Sequence, residues 1–226
     1  MSRILVVDDD AALLHTLRLN LLAREYDVDT AETGEQALAL ARELPPDLAI
    51  VDLGLPDMDG LAVIEQLRRH SSLPILVLSA RGEQEDKIAA LDAGSDDHIS
   101  KPFGMAELLA RVRAGLRRSS LADTGTATVT TDAFTLDLNA RTARTAFGAV
   151  HLTPTEWHLL EELVRHPGRL VSQLDLLRAV WGPAYGEESR HYLRVYMAQL
   201  RRKLEPDPSS PRHLITVAGS GYRFDC

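Results

Sequence analysis

Apolar and polar positions follow two different periods along this chain. In the first half, Ile4-Leu5-Val6-Val7, Leu48-Ala49-Ile50-Val51 and Ile75-Leu76-Val77-Leu78 are continuous apolar runs, the pattern of strands covered on both faces. Strands are predicted at 3–7, about 27–31, 47–52, 74–79 and about 96–100, with amphipathic helices between them and after the last. Five βα units in succession imply an α/β fold, a parallel sheet with helices on both faces. Ligands of such sheets gather outside the carboxyl ends of the strands.

The second half has a different pattern. A polar stretch without periodicity, SSLADTGTAT from Ser119 to Thr128, reads as a connector. The expected organisation is a first domain at 1–119, a linker at 120–126 and a second domain at 127–226. Short Thr-rich strand-type segments fill about 127–151, and a capped helix in Leu152–Ser172 ends at Pro167-Gly168. A second helix runs from Ser172 toward Trp181-Gly182, a third occupies Ser189–Glu205, and Leu214–Phe224 reads as two strands about a glycine turn.

Composition narrows the class. The 226 residues are 45% hydrophobic and 26% charged, as in globular proteins. No apolar run approaches the roughly 18 residues that span a bilayer, so no membrane partner and a cytosolic location are expected. The single cysteine, Cys226, has no partner within the chain. All of the net charge of −8 lies in residues 1–120, whereas 190–203 carry Arg190, Arg194, Arg201, Arg202 and Lys203 without an acid. An acidic module followed by a basic stripe points to two different partners.

The candidate chemistry sits at the strand ends. The first strand stops at three consecutive carboxylates, Asp8-Asp9-Asp10, and the third stops at Asp52. With these strands adjacent, Asp8, Asp9 and Asp52 face one cleft, which a hard dication such as Mg²⁺ would stabilise. Asp10 has a simpler use as a helix cap. Ser79 ends the fourth strand and Lys101 follows the fifth. A carboxylate, a metal, a hydroxyl and an ammonium are the parts that phosphoryl transfer to an aspartate requires. A metal-dependent phosphatase using Asp52 is the enzymatic alternative. The haloacid type wants an aspartate at position 54, which is Gly, and the DDDAAL turn has no dinucleotide-binding glycine pattern.

VVDDD, LAIVDLGLPDMDG, VLSA and ISKPF, in this order, resemble the receiver domain of two-component response regulators, a flavodoxin-like (βα)5 fold, from Met1 to about Arg118. The resemblance implies a non-enzymatic switch in which Asp52 accepts a phosphoryl group from a sensor histidine kinase. Asp8, Asp9, Asp52 and the backbone carbonyl of Gly54 would hold Mg²⁺, while Ser79 and Lys101 would engage the phosphoryl oxygens. It also implies a cis Lys101-Pro102 bond. His98 stands where such receivers usually carry Tyr or Phe, the switching partner of Ser79; an exposed polar residue on an edge strand is the alternative reading. In the transcription-factor branch, Lys87 with Glu107, Asp97 with Arg111 and Asp96 with Arg118 pair across a two-fold dimer around Ile88, Leu91 and Leu109, in the phosphorylated state.

In SRHYLRVYMAQLRRKLE, Leu193, Met197, Leu200 and Leu204 fall on one helical stripe. The opposite side presents His191, Val195, Ala198 and Arg202, with Arg194, Gln199 and Arg201 toward its flanks, groups that can enter a DNA major groove. TPTEWHLLEEL, VWG and GSGYRF resemble the winged-helix effector of the OmpR/PhoB class over about 127–226. That class implies promoter DNA as partner, a wing of Gly219, Ser220, Gly221, Tyr222 and Arg223 on the DNA, and RNA polymerase facing Pro183 to Glu188. Ala218 stands where many members have a basic residue. VWGPAY, LGLPDMDG and YLRVYMAQLRRKLEPDPSSPRHLIT look most like the Kdp-type regulators of potassium-transport operons. A third reading keeps DNA binding and dimerisation but drops phosphorylation.

Overall fold

The computed structural model describes residues 1–80, 84–120, 128–183, 185–186 and 189–226, with backbone alone at 84–85 and 117–120. Contacts divide the chain into two compact units, Met1–Ser119 and Ser120–Cys226.

The first unit alternates strand and helix: β1 (Arg3–Val7), α1 (Ala11–Leu22), β2 (Asp27–Ala31), α2 (Gly34–Glu43), β3 (Leu48–Asp52), α3 (Gly60–His70), β4 (Ile75–Ser79), α4 (Gln84–Asp92), β5 (Asp97–Ser100) and α5 (Met105–Ser120). All sheet pairings are parallel, in the order β2-β1-β3-β4-β5. The continuous apolar runs follow from two cores. Ile4, Val6, Leu48, Ile50 and Leu78 pack on one face with Leu14, Leu17, Leu21, Leu108 and Val112. Leu5, Val7, Ala49, Val51 and Val77 pack on the other with Ala37, Leu38, Val63, Ile64 and Leu67. Burying one such side chain contributes about 2 kcal/mol, so both strand faces are fixed by sequence. Strand order reverses between β1 and β3, which places the ends of these two strands at the crevice where ligands bind.

The second unit opens with an antiparallel sheet of β6 (Thr128–Thr130), β7 (Phe134–Asp137), β8 (Thr142–Thr145) and β9 (Gly148–Val150). Then come α6 (Pro154–Val164), β10 (Leu170–Ser172), α7 (Gln173–Val180), α8 (Arg190–Leu204), β11 (Leu214–Val217) and β12 (Gly221–Phe224). Helix α6 begins with a capping box, Thr153 and Glu156 each bonding the other's backbone N–H. The last two strands turn at Gly219, whose φ of +73° suits glycine. Strand β10 was not expected: three residues after Gly168 are too few for a period of two, and only pairing with β12 makes them a strand. Among the described residues no helix is long and apolar enough to cross a membrane.

Candidate functional site

The three aspartates after β1 have three different environments. Asp8 is fully buried, whereas Asp9 and Asp10 are exposed. Asp10 is the N-cap of α1, its side chain accepting from the N–H groups of Ala12 at 2.9 Å and Leu13 at 3.1 Å. Asp8 turns inward, where Lys101 Nζ lies 2.7 Å from its Oδ2 and 2.7 Å from Asp52 Oδ1. The remaining oxygens are held by backbone: Asp10 N–H donates to Asp8 Oδ1 at 3.0 Å and Gly54 N–H to Asp52 Oδ2 at 2.7 Å. Asp52 is 5% exposed and Ser79 2%.

Lys101 is brought there by the sheet. Its N–H donates to the carbonyl of Ser79 at 2.7 Å, fixing the end of β5 beside the end of β4. The Lys101-Pro102 peptide is cis. Burial works against the Lys101 ammonium, but hydrogen bonds to Asp52 and Asp8 outweigh it and hold its pKa above the usual value. Burial pushes the Asp8 carboxyl up, and its hydrogen bonds to Lys101 and to the Asp10 N–H offset this only in part.

The three acids are not alike in depth: Asp8 and Asp52 are buried and Asp9 is exposed. Among the described residues no group of three His, Cys, Asp or Glu side chains is already gathered as a metal site. The countercharge to Asp8 and Asp52 is the ammonium they share. The donor chemistry nonetheless fits a hard dication: two carboxylates converge on a single cation position, one of them fully buried at a cost in free energy, and all donors are oxygens.

Strand β5 departs from expectation in a second way. His98 is 3% exposed, which removes the reading of an exposed polar group on an edge strand. Neighbouring Asp96 is also buried. It pairs with Arg68 and accepts from the Ile75 N–H at 2.9 Å. Asp97 accepts from Arg111 Nη1 at 3.0 Å, and Arg111 Nη2 reaches Glu107 within the same chain at 2.7 Å. Leu91 and Leu109 are enclosed by the protomer, and Leu109 belongs to a core cluster. Leu91 and Leu109 are thus not exposed as the expected apolar centre of a dimer, and Asp96, expected to pair with Arg118 across it, is buried against Arg68. Of that set, Lys87 and Ile88 are half-buried and Glu107 is exposed, while the Arg118 side chain lies outside the described residues. Arg68, which also bonds the carbonyls of Gly94 and Leu73, was missed. Its position in the last turn of α3 resembles an ordinary dipole partner.

On α8 the exposed arc is narrower than the periodicity implies. Arg194, Ala198 and Arg202 are exposed and His191 and Val195 half-exposed. Gln199 is 7% exposed, and Arg201 Nε donates to the Leu214 carbonyl at 2.9 Å while its Nη2 reaches Thr216 Oγ1 at 2.7 Å. Both belong to the packed side of the helix. On the Gln199 flank an aromatic cluster widens the buried arc, Trp181 standing 5.8 Å from Tyr192 and 5.3 Å from Tyr196, ring to ring, while on the other flank β11 takes up Arg201. In the hairpin, Gly219 and Ser220 are exposed, but Gly221 and Tyr222 are buried and Arg223 is held by Asp225 at 2.7 Å. A Cβ at 221 would sit 2.0 Å from the Val171 carbonyl oxygen, so that glycine serves the sheet and not the tip. Of the 183–188 segment, residues 184, 187 and 188 lie outside the described residues. Tyr185 is buried against Trp181 at 6.2 Å, leaving Pro183 exposed and Gly186 half-buried.

A parallel five-stranded sheet with a Lys-bridged aspartate pair, followed by a winged-helix unit with a basic helix, defines a class. Residues 4–113 match the response regulator receiver domain family, and residues 148–224 match the family described as transcriptional regulatory protein, C terminal. The chain belongs to the two-component response regulators of the OmpR/PhoB type. It is similar to the transcriptional regulatory protein KdpE of Mycobacterium tuberculosis, 54% identical over 226 residues covering all of both chains. To the KDP operon transcriptional regulatory protein KdpE of Escherichia coli it is 49% identical, over 99% of each chain. Among solved structures, a single-site mutant of RitR matches over 99% of both chains with a TM-score of 0.81 at 26% identity.

Proposed function

We propose that this response regulator is switched by phosphorylation of Asp52. A carboxylate oxygen of Asp52 attacks the phosphorus carried on an imidazole nitrogen of the sensor kinase. An O–P bond forms, the N–P bond breaks, and the kinase histidine departs with the electron pair. Lys101 and the Ser79 hydroxyl engage the phosphoryl oxygens and offset the charge that collects there. Asp8, Asp9, Asp52 and the Gly54 carbonyl would hold Mg²⁺, which supplies further charge neutralisation to the phosphoryl group. The observation that carries this reading is the single ammonium 2.7 Å from both Asp8 and Asp52 at the sheet's switch point.

Phosphorylation then favours a homodimer through the α4–β5–α5 face, using Lys87, Ile88, Asp97, Glu107, Arg111 and Arg118. The dimer presents two copies of α8 to promoter DNA, with His191, Arg194, Ala198 and Arg202 toward the major groove and the Gly219-Ser220 tip on the backbone. RNA polymerase meets the region about Pro183 to Glu188. The protein acts in the cytoplasm without turning over a substrate. Similarity to the two KdpE proteins supports a potassium-transport operon as target.

The test is Asp52→Asn. Phosphodonor-stimulated binding to promoter DNA disappears in this variant, measured by gel shift with and without donor. Stimulation equal to that of the unsubstituted chain would refute the switch and leave a regulator that dimerises without phosphorylation.

A further inference from the structure

The connection between β3 and α3 is pinned at both ends. At its far end, Asp57 Oδ1 accepts from the Gly34 N–H at 2.8 Å and Oδ2 from the Glu35 N–H at 2.9 Å. These are the first two amides of α2, which have no partner within the helix. The third is capped separately, by Thr33 Oγ1 at 3.2 Å. The two backbone hydrogen bonds, Glu35's first, hold the Asp57 carboxyl below its usual pKa. Met58 follows onto the same place: a Cβ at residue 34 would lie 2.5 Å from Met58 Cγ and 2.7 Å from its Sδ. The connection therefore rests on a glycine that leaves room for it.

At the near end the chain folds back on the phosphoacceptor. Gly60 N–H donates to the Leu53 carbonyl at 3.1 Å, and a Cβ at 60 would fall 2.2 Å from the Asp52 carbonyl oxygen. Pro56 precedes Asp57 directly and fixes its own φ. Between the two pins lies Gly54, whose N–H donates to Asp52 Oδ2 at 2.7 Å. A backbone carbonyl has no side-chain torsions with which to find a cation. Its direction is set by the chain on either side of it.

We propose that Asp57 is a positioning residue for the phosphorylation site. By tying the β3–α3 connection to α2 through two amides, it fixes the direction of the Gly54 carbonyl, which would hold the divalent cation. This inference rests on the reading of the site given above. It concerns a carboxylate that touches neither phosphoryl group nor metal.

The experiment uses the unphosphorylated full chain and Mg²⁺ alone, followed by calorimetry and by hydrogen exchange of the amides at 53–59. Partners that orient metal ligands typically account for 10- to 100-fold in affinity. Asp57→Ala is expected to weaken Mg²⁺ binding roughly tenfold and to speed exchange at 53–59. Asp57→Asn, which keeps one acceptor, falls between it and the unsubstituted chain and covers the case in which the alanine variant fails to fold. Thr33→Ala removes a cap from the same helix end without touching the connection, and leaves Mg²⁺ affinity unchanged. Unaltered affinity in both Asp57 variants, or equal losses for Thr33→Ala and Asp57→Ala, would overturn the proposal. An unsubstituted chain that binds no Mg²⁺ would overturn the reading of the site itself, and this proposal with it.

Discussion

Two runs of like charge, Asp8-Asp9-Asp10 after β1 and Arg201-Arg202-Lys203 at the end of α8, are divided up in the same way. In each, the first and third side chains are taken by the fold and the middle one is exposed. Asp8 is buried against Lys101 and Asp10 caps α1. Arg201 ties α8 to β11, and Lys203 Nζ lies 2.7 Å from the buried Glu156. Asp9 and Arg202 face solvent. A charge run in sequence therefore overstates the charge available to a partner, because successive residues point in directions that differ by about a quarter of a turn or more.

The comparison is tested most severely at Lys203. Replacing it with Met leaves Glu156, which has no exposed surface, without its ammonium. Chemical denaturation should show the second unit less stable by about 2 kcal/mol. Arg201→Ala, which removes hydrogen bonds to Leu214 and Thr216, costs roughly 1.5 kcal/mol and lowers DNA affinity only through stability. A loss of less than about 0.5 kcal/mol for Arg201→Ala would break the comparison. Asp10→Ala removes an N-cap and costs about 1 kcal/mol in the first unit, whereas Asp9→Ala changes stability by less than about 0.5 kcal/mol.

Asp8→Asn sharpens the contrast through pH. The folded state holds Asp8 above its ordinary pKa, so the folded chain binds more protons than the unfolded one in that range. Stability from this group is present below the ordinary carboxylate value and is lost as pH rises through the raised one. At neutral pH the Asn variant should therefore melt higher than the unsubstituted chain and lack that slope, while taking up no phosphate. The smallest effect is that of Arg202→Ala on DNA binding. The substitution weakens binding across sequences and reduces the salt slope by about one.

The first unit was largely legible because burial on both faces leaves a strand no choice but continuous apolar residues, as in Leu48 to Val51. The convergence of Asp8, Asp52 and Lys101 followed from strand ends alone. What escaped was depth. A helical wheel assigns Gln199 and Arg201 a direction, but Tyr192 and Tyr196, packed on Trp181, decide where burial stops on the Gln199 flank, and β11 decides it on the Arg201 flank. Asp96 and Arg68, like Asp57 and the amides of α2, are paired across more than twenty residues. Nothing in local pattern announces such pairs. Strand β10 exists only because β12 lies beside it.

The central claim is that Asp52, beside Lys101, receives a phosphoryl group. The most direct measurement is the intact mass of the full chain after incubation with a small-molecule phosphodonor and Mg²⁺. One labile phosphoryl group, absent from the Asp52→Asn variant, is the expected result. An unchanged mass, a stable phosphate at another residue, or sustained hydrolysis of an external phosphoester would contradict it.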